Sequence, residues 1–216
     1  SNGMEIYLYE MFFNSAWYVA FSSFGGILVS SFSAYALSKF SFKGHNTIYA
    51  IAIFTMTMPI VGSTGATFKL LSDINIYNSP LFLITSLSGF GFNFLVLYGF
   101  FKNLSWSYVE AVYIDGGNDF TAFFKVMLPM MLGPIVAVLI LAFIGRWNSY
   151  EAILMYLPSF PTLSTGLYLY KDKTDRMANI PVYFCGVLLT ILPPLIMFSI
   201  FSETIMNNVT QGGIKG

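Results

Sequence analysis

Five long apolar runs, none with a charged residue in its middle, constrain the fold of this chain more than any other feature. A helix that crosses a bilayer needs about 20 consecutive apolar residues, whereas a membrane β-strand needs only about ten and alternates polar with apolar positions. The runs are too long and too uniformly apolar for such strands. We therefore predict an all-α polytopic membrane protein with a single transmembrane domain over residues 1–216. The predicted spans are residues 12–37, 47–68, 80–101, 129–147 and 181–201.

The charged residues are too few to cover a soluble body of this length. They make up 9% of the 216 residues, whereas soluble domains carry about 25%. The net charge of zero gives no indication of nucleic-acid binding. A single histidine, His45, and a single cysteine, Cys185, cannot form a His/Cys metal cluster, so we predict no metal site. The first partner that the composition predicts is the lipid bilayer.

The distribution of Lys and Arg does not decide which loops face the cytoplasm. These residues are enriched in cytoplasmic loops of membrane proteins. When loop 38–46 is taken as cytoplasmic, five of them fall on each side. Charge alone therefore leaves the topology open.

Small residues recur in the first run at every fourth position, at Ser22, Gly26, Ser30 and Ala34. This spacing places them on one helix face, where small side chains let a neighbouring helix approach closely. We predict a helix-packing face, although small residues are common in membrane helices in general. Prolines, which bend or break helices, occur inside the runs at Pro59, Pro134, Pro193 and Pro194.

Residues 102–128, between the third and fourth runs, form a more polar segment that predicts structure outside the bilayer core. Ser107 and Glu110 have the Ser-x-x-Glu spacing of a capping box, in which each side chain bonds a free backbone N–H at a helix start. We therefore predict a short helix that begins at this pair.

A turn and a second helix are predicted to follow. Gly116 and Gly117 indicate the end of the first helix, because glycine readily adopts the left-handed conformation found there. Asn118 or Asp119 can cap a second helix that runs into Pro129. The predicted arrangement is helix, Gly-Gly turn, helix.

The residues of this segment resemble a known motif. Residues 110–116 read Glu-Ala-Val-Tyr-Ile-Asp-Gly, and after nine residues 126–129 read Val-Met-Leu-Pro. This is similar to the EAA loop of ABC-transporter permeases, which reads Glu-Ala-Ala, three residues, Gly, nine residues, Ile, one residue, Leu-Pro. The chain departs from it by Val112 in place of the second Ala and by Val126 in place of Ile.

Three other stretches extend the resemblance along nearly the whole chain. Residues 34–44, 143–148 and 212–216 look like motifs of carbohydrate-importer permeases of the maltose-permease G type. The resemblance implies a type I importer permease, which typically has six transmembrane helices. Since the span before 12–37 is not present, we expect either an N-terminally truncated fragment or a first helix supplied from elsewhere.

The resemblance also implies partners and a location in the cytoplasmic membrane of a prokaryote. Such a permease pairs with a second, homologous permease, two ATP-binding cassette subunits drive the pair, and an extracytoplasmic binding protein delivers the sugar. ATP and Mg²⁺ would lie on the ATPase, and this chain would hold no cofactor and catalyse no reaction itself. Segment 102–128 would be the cytoplasmic coupling loop, and residues 148–180 would be external.

The coupling residues implied by the motif are Glu110, Ala111, Asp115, Gly116, Gly117, Leu128 and Pro129. Two interpretations of Glu110 stay open: its carboxylate meets a basic group on the ATPase, or it only closes the capping box with Ser107. We expect that a β-branched residue at Gly116 uncouples transport from ATP hydrolysis.

A second candidate site lies at the end of the fourth run. Arg146, Trp147, Asn148 and Glu151 are candidates for the translocation path, because ionisable groups near a membrane span are often functional. Alternatively, Trp147 and Tyr150 belong to an aromatic belt at the membrane surface.

Other functional classes find less support in the sequence. The chain has no Gly-x-x-x-x-Gly-Lys-[Ser/Thr] phosphate loop, so ATP is expected on another chain. A secondary transporter usually carries acidic or polar groups near the middle of its spans, and no span here has Asp or Glu at its centre. No segment resembles a channel filter. An ABC importer for another small solute remains the alternative, and the sequence does not reveal which sugar is carried.

Overall fold

The computed structural model describes residues 7–58, 62–174 and 179–213, and for residues 172–174 and 205–213 it describes the backbone alone. Every regular element in the described residues is a helix, which confirms the predicted all-α fold. The α-helices are α1 (Leu8–Lys39), α2 (His45–Thr57), α3 (Ser63–Asp73), α4 (Phe92–Asn103), α5 (Ser107–Ile114), α6 (Asp119–Met130), α7 (Leu132–Asn148), α8 (Glu151–Tyr156), α9 (Leu163–Thr174) and α10 (Ile180–Gly213). A 3-10 helix, Pro80–Ser86, lies between α3 and α4.

Two described helices are long and apolar enough to cross a bilayer, namely α1 and the part Ile180–Thr204 of α10. A third span is added if α6 and α7, which are bent by 76° relative to each other, count as one broken helix. The structure therefore differs from the five predicted spans, since the runs 47–68 and 80–101 are each divided between two helices.

Backbone conformations explain both divisions. Between α2 and α3, Met58 is extended and Gly62 has a φ of 84°. In the next run the 3-10 helix ends at Ser86, and Gly91, with a φ of 145°, precedes α4. Positive φ angles favour glycine and interrupt a helix whatever the hydrophobicity of its neighbours. Hydropathy alone therefore overestimates the length of these helices.

The prolines in the apolar runs have different outcomes. Pro134 is the third residue of α7, in a first turn whose N–H groups lack helical partners in any case. Helix α10 continues through Pro193 and Pro194. Pro59 and residues 214–216 lie outside the described residues.

The chain divides into two compact units. Unit 1 comprises residues 1–23, 61–86 and 142–200, and unit 2 comprises residues 24–60, 87–141 and 201–216. The core of unit 1 contains Tyr18, Val19, Leu71, Phe82, Trp147, Ile153, Tyr156, Leu157 and Leu163. The large side chains that are fully buried in unit 2 are Tyr35, Phe94, Leu97, Phe101, Phe123, Met127, Met131 and Ile140.

Hydrogen bonds from side chains join the loops of unit 1. The Asn78 amide donates to Ser159 Oγ at 2.8 Å and accepts from the Ser159 backbone N–H at 2.9 Å. The Asn14 amide donates to the Pro161 carbonyl at 3.1 Å. We call these contacts, together with the bond from the Leu163 N–H to Ser15 Oγ at 2.9 Å, the loop network.

Candidate functional site

Helix α5 starts without the predicted capping box. Its first residue is Ser107 and its N-cap is Trp106, which makes no side-chain capping bond. The hydroxyl that meets the helix start belongs to Ser105, and it accepts from the Ser107 backbone N–H at 3.2 Å. The capping prediction is therefore wrong, because the helix begins one residue too early for Ser107 to be its cap. The carboxylate of Glu110, which is exposed, makes no hydrogen bond to a described residue and remains available to a partner.

The end of α5 is the glycine turn that the sequence predicts. Gly116 has a φ of 78°, its N–H donates to the Tyr113 carbonyl at 3.0 Å, and the Gly117 N–H donates to the Val112 carbonyl at 2.8 Å. This pair of bonds is a Schellman motif, which satisfies carbonyls that the helix end leaves free. An L residue with a side chain at position 116 would be strained even though the space beside it is open.

Gly117 is required for a different reason, which is close packing. A Cβ added there would lie 2.5 Å from Val112 Cγ1 and 3.0 Å from the Val112 carbonyl oxygen. Val112 stands where the EAA pattern has its second Ala, and its larger side chain is buried. The larger side chain at 112 is thus accommodated by the absence of one at 117.

Helix α6 follows with its own cap, as predicted. Asn118 is extended, and its side-chain oxygen accepts from the Thr121 backbone N–H at 2.9 Å. The middle of the helix, Ala122–Met127, is a wide π turn in which the Leu128 N–H bonds the carbonyl of Phe123, five residues earlier. Such turns occur frequently at functional sites.

Pro129 removes one backbone donor near the end of α6. It has no backbone N–H to donate, and the helix ends at Met130. The chain then turns by 76° into α7. The Leu128-Pro129 pair of the motif therefore lies at the elbow between a short helix and an apolar one.

A side-chain bond joins the two helices of the segment. The Tyr113 hydroxyl, near the end of α5, donates to the Asp119 carboxylate at the start of α6. This hydrogen bond raises the pKa of Tyr113 above its ordinary value, because it stabilises the protonated phenol, and desolvation and the charge of Asp119 act in the same direction. Tyr113 and Asp119 therefore fasten the two helices across the glycine turn.

Aromatic rings attach segment 102–128 to the rest of unit 2. Phe123 is 1% exposed, and its ring lies 5.0 Å from that of Tyr35 and 5.3 Å from that of Phe32, both in α1. Trp106 packs edge-on against Phe40 at 5.8 Å between ring centroids. We call Phe32, Tyr35, Phe40, Phe101, Trp106 and Phe123 the aromatic cluster. The Lys39 ammonium group adds one polar attachment by donating to the Leu104 carbonyl.

The outer face of the segment is exposed and largely apolar. Ile114 is 85% exposed and Phe120 is 63% exposed, while Val109 and Val112 on the opposite side of α5 are buried. The motif residues Ala111, Asp115, Gly116 and Pro129 are exposed, and Gly117 and Leu128 are half-buried. Exposed apolar groups of this kind are available for contact with lipid or with another protein.

The structure separates the four residues proposed for a translocation path. Trp147 is 4% exposed and its indole N–H donates to the Thr190 carbonyl at 2.9 Å, so its ring belongs to the core of unit 1. Arg146 donates to Ser86 Oγ at 3.3 Å. Glu151 is exposed. Asn148 lines a cavity with a volume of about 510 Å³, and the other three are not among the described residues of its wall.

That cavity lies within unit 1, between the end of α7, helix α9 and the first half of α10. Tyr150 and Tyr168 line the cavity, and their rings are stacked. The ring centroids lie 4.5 Å apart, and the angle between the ring planes is 17°. Lys171, Tyr183 and Thr190 complete its polar wall. Sequence reasoning missed this site, because its residues are spread over more than 40 positions with no common spacing.

The four small residues of the predicted packing face in α1 are buried within the chain. Ser22 is 2% exposed, Ser30 is 4% exposed and Ala34 is fully buried, and Gly26 is buried as well. Ser30 donates to the Ser88 carbonyl at 3.1 Å. The tightest approach in this region, however, involves Gly25, where a Cβ would lie 2.5 Å from Leu87 Cδ2.

Residues 26–209 match the family described as "Binding-protein-dependent transport system inner membrane component". The chain is 30% identical over 210 residues to the diacetylchitobiose uptake system permease protein NgcG of Streptomyces coelicolor, an alignment that covers 95% of this chain and 70% of that one. It is also 29% identical over 213 residues to the sulfoquinovosyl glycerol transport system permease protein SmoH of Agrobacterium fabrum, covering 97% of this chain and 74% of that one.

This chain belongs to that family of inner membrane transport components.

A solved structure agrees with this assignment at the level of the fold. The chain superposes on a bacterial ABC transporter involved in the import of the acidic polysaccharide alginate with a TM-score of 0.66 and 24% identity, covering 96% of this chain and 75% of that one. The predicted family, a polytopic inner membrane permease of the ABC type, is therefore confirmed.

Proposed function

We propose that this inner membrane component is the permease subunit of an ATP-driven importer of a sugar or oligosaccharide. The observation that carries the proposal is the exposed helix pair α5 and α6. It presents Glu110 and Ile114 outward, while its inner face is fixed to α1 through Phe123 and Tyr35. An element whose outer face is free can bind a partner. A displacement imposed by that partner would then move the helix that the element contacts.

The named solutes of similar proteins support a saccharide as the cargo. The two relatives are permease proteins for diacetylchitobiose uptake and for sulfoquinovosyl glycerol transport. The structural neighbour takes part in alginate import. These solutes share sugar rings and differ in size and charge.

The proposal includes the remaining subunits and the orientation. A second, homologous permease completes the pathway, two ATP-binding cassette subunits bind ATP and Mg²⁺, and an extracytoplasmic binding protein delivers the solute. Segment 102–128 then faces the cytoplasm as the coupling loop, and its apolar face with Ile114 docks on the ATPase. Glu110, which has no described partner in this chain, pairs there with a basic group.

Co-purification with the ATPase subunit of the same transporter tests the coupling assignment. We expect the ATPase recovered with Glu110→Ala or Gly116→Val to fall by about ten-fold, as for loss of a contact at the centre of an interface. Gly99→Val is the matched control, because an added Cβ there also meets nothing within 4 Å but the backbone carries no positive φ. Size-exclusion profiles report whether each variant is folded.

Two outcomes contradict the assignment. One is full recovery of the ATPase with a folded Gly116→Val variant that still imports solute at the normal rate. The other is an equal loss of ATPase with Gly99→Val, since this residue lies in α4 and outside the coupling loop.

A further inference from the structure

The cavity of unit 1 has the size and wall of a small-molecule site. Its volume of about 510 Å³ falls within the range of roughly 300–1,000 Å³ that ligand pockets occupy. Its wall combines apolar side chains with a small number of polar ones, which is also typical of such pockets. The question is which polar groups of the wall are free to bind.

Several wall groups are already occupied by bonds within the protein. The Asn148 amide donates to the Ile144 carbonyl at 3.0 Å, and the Thr190 hydroxyl donates to the Gly186 carbonyl at 2.9 Å. Ser164 donates to the Trp147 carbonyl at 2.6 Å. These bonds use the hydroxyl hydrogens of Thr190 and Ser164 and one of the two amide hydrogens of Asn148.

The polar wall side chains that make no side-chain hydrogen bond to a described residue are three phenols and one ammonium. The hydroxyls of Tyr150, Tyr168 and Tyr183 and the amino group of Lys171 make no hydrogen bond or ion pair with a described residue. None of the described wall residues is an acid. Among the described wall residues, each of these unbonded groups can donate a hydrogen bond, and the one charged group is the ammonium of Lys171.

We propose that this cavity binds an anionic sugar unit, with its carboxylate or sulfonate on Lys171 and its ring packed on the Tyr150–Tyr168 pair. The inference rests on the proposed function and names the class of saccharide within it. A sugar ring presents C–H groups on one face, and these pack on the apolar face of an aromatic ring. The ammonium of Lys171 and neighbouring phenols supply charge-assisted hydrogen bonds to the anionic group.

A neutral saccharide would fit this wall less well. Its hydroxyls donate as well as accept, and the hydrogen bonds that a bound sugar donates are received best by amide or carboxylate oxygens. Among the described wall residues Asn148 alone offers an amide oxygen and none is an acid, so such acceptors are few. Next to a neutral ring, the charge of Lys171 would also have no partner among the described residues.

Equilibrium binding to the purified transporter, without its binding protein, tests the proposal directly. Saturation-transfer NMR would compare trigalacturonate with galactotriose, and sulfoquinovose with glucose, since each pair differs only at C6. We expect at least one anionic sugar to bind about ten-fold or more tightly than its neutral match, as for a charge-assisted bond. Lys171→Gln should abolish that preference, and Tyr168→Leu should weaken both members of the pair.

Lys69→Gln is the charge-matched control. Lys69 is exposed in α3, also in unit 1, and does not line the cavity. If it reduces the preference as much as Lys171→Gln does, the effect is general electrostatics and the proposal is wrong. Equal binding within both pairs overturns the anionic class, and absence of binding to all four sugars overturns the site. Neither result affects co-purification with the ATPase, which reports separately on the proposed function.

Discussion

Segment 102–128 and the loop network of unit 1 are held in place by different forces. The segment packs on the aromatic cluster. The ring centroid of Phe123 lies within 5.3 Å of the centroids of two rings from α1. The loops of unit 1 are joined by directional bonds such as those between Asn78 and Ser159. Both regions connect parts of the chain that are far apart in sequence.

The difference follows from what each region must satisfy. Loops contain backbone N–H and C=O groups without helical partners, and side-chain amides and hydroxyls supply these partners. The segment consists of two short helices whose backbone N–H and C=O groups mostly bond within the helices. Its attachment to the rest of unit 2 therefore depends on the buried area and the fit of its side chains. Ring contacts tolerate small rotations, whereas hydrogen bonds weaken steeply as their angles change. An attachment through rings therefore suits the coupling role proposed above for the segment.

The largest loss of unfolding free energy is expected from a substitution of Phe123. Phe123→Ala removes a fully buried ring from the centre of the cluster, and we expect a loss of about 3–5 kcal/mol in the free energy of unfolding. Phe124→Ala is the matched control, because the adjacent ring is 50% exposed. It should cost about 1 kcal/mol or less. Denaturant unfolding in detergent micelles measures both, and equal losses would mean that the cluster does not hold the segment.

A smaller effect is expected at the glycine turn. Gly117→Ala places a methyl group against Val112, and overpacking of this kind costs about 1–3 kcal/mol. Combining it with Val112→Ala should restore much of that loss, because the second change removes the atom that the methyl group meets. A double-mutant cycle of unfolding free energies measures the coupling. Additive effects would show that the two residues do not share this space.

The smallest of the three effects is expected in the loop network. Asn78→Gly keeps the backbone conformation, with a φ of 53°, but removes two side-chain bonds. Because both bonds are part-buried, each should contribute at the lower end of the usual range, about 0.5–1 kcal/mol, so the loss should be about 1–2 kcal/mol. Asn75→Gly is the matched control, with a φ of 57° and no side-chain bond to a described residue. If both variants lose the same stability, backbone conformation rather than the bonds holds these loops.

The sequence was sufficient for features that depend on a few neighbouring residues. The turn at Gly116 and the cap at Asn118 were predicted correctly, because each is determined by local backbone geometry and a single side chain. The capping box at Ser107 and Glu110 was not, because several hydroxyls stand close together there. The hydroxyl that caps the helix is the one next to its first residue. That position follows from Trp106, which packs on Phe40 and immediately precedes the helix.

Features that depend on distant contacts were beyond sequence reasoning. Phe, Tyr and Trp make up 19% of the residues, so no pattern singles out Tyr35 and Phe123 as a buried pair. The close approach at Gly25 likewise depends on Leu87, 62 positions away. The cavity lined by Tyr150 and Lys171 requires α9 and α10 to lie side by side, which hydropathy does not encode.

The contact between positions 112 and 117 changes how the loop motif should be written. Two small side chains, or one larger side chain opposite a glycine, fill the same volume at the end of α5. A pattern that demands Ala at the first position scores this chain as a departure, although the turn it forms is intact. A search profile that treats the two positions as a correlated pair would recognise both solutions, and would reject chains that carry a large residue at each.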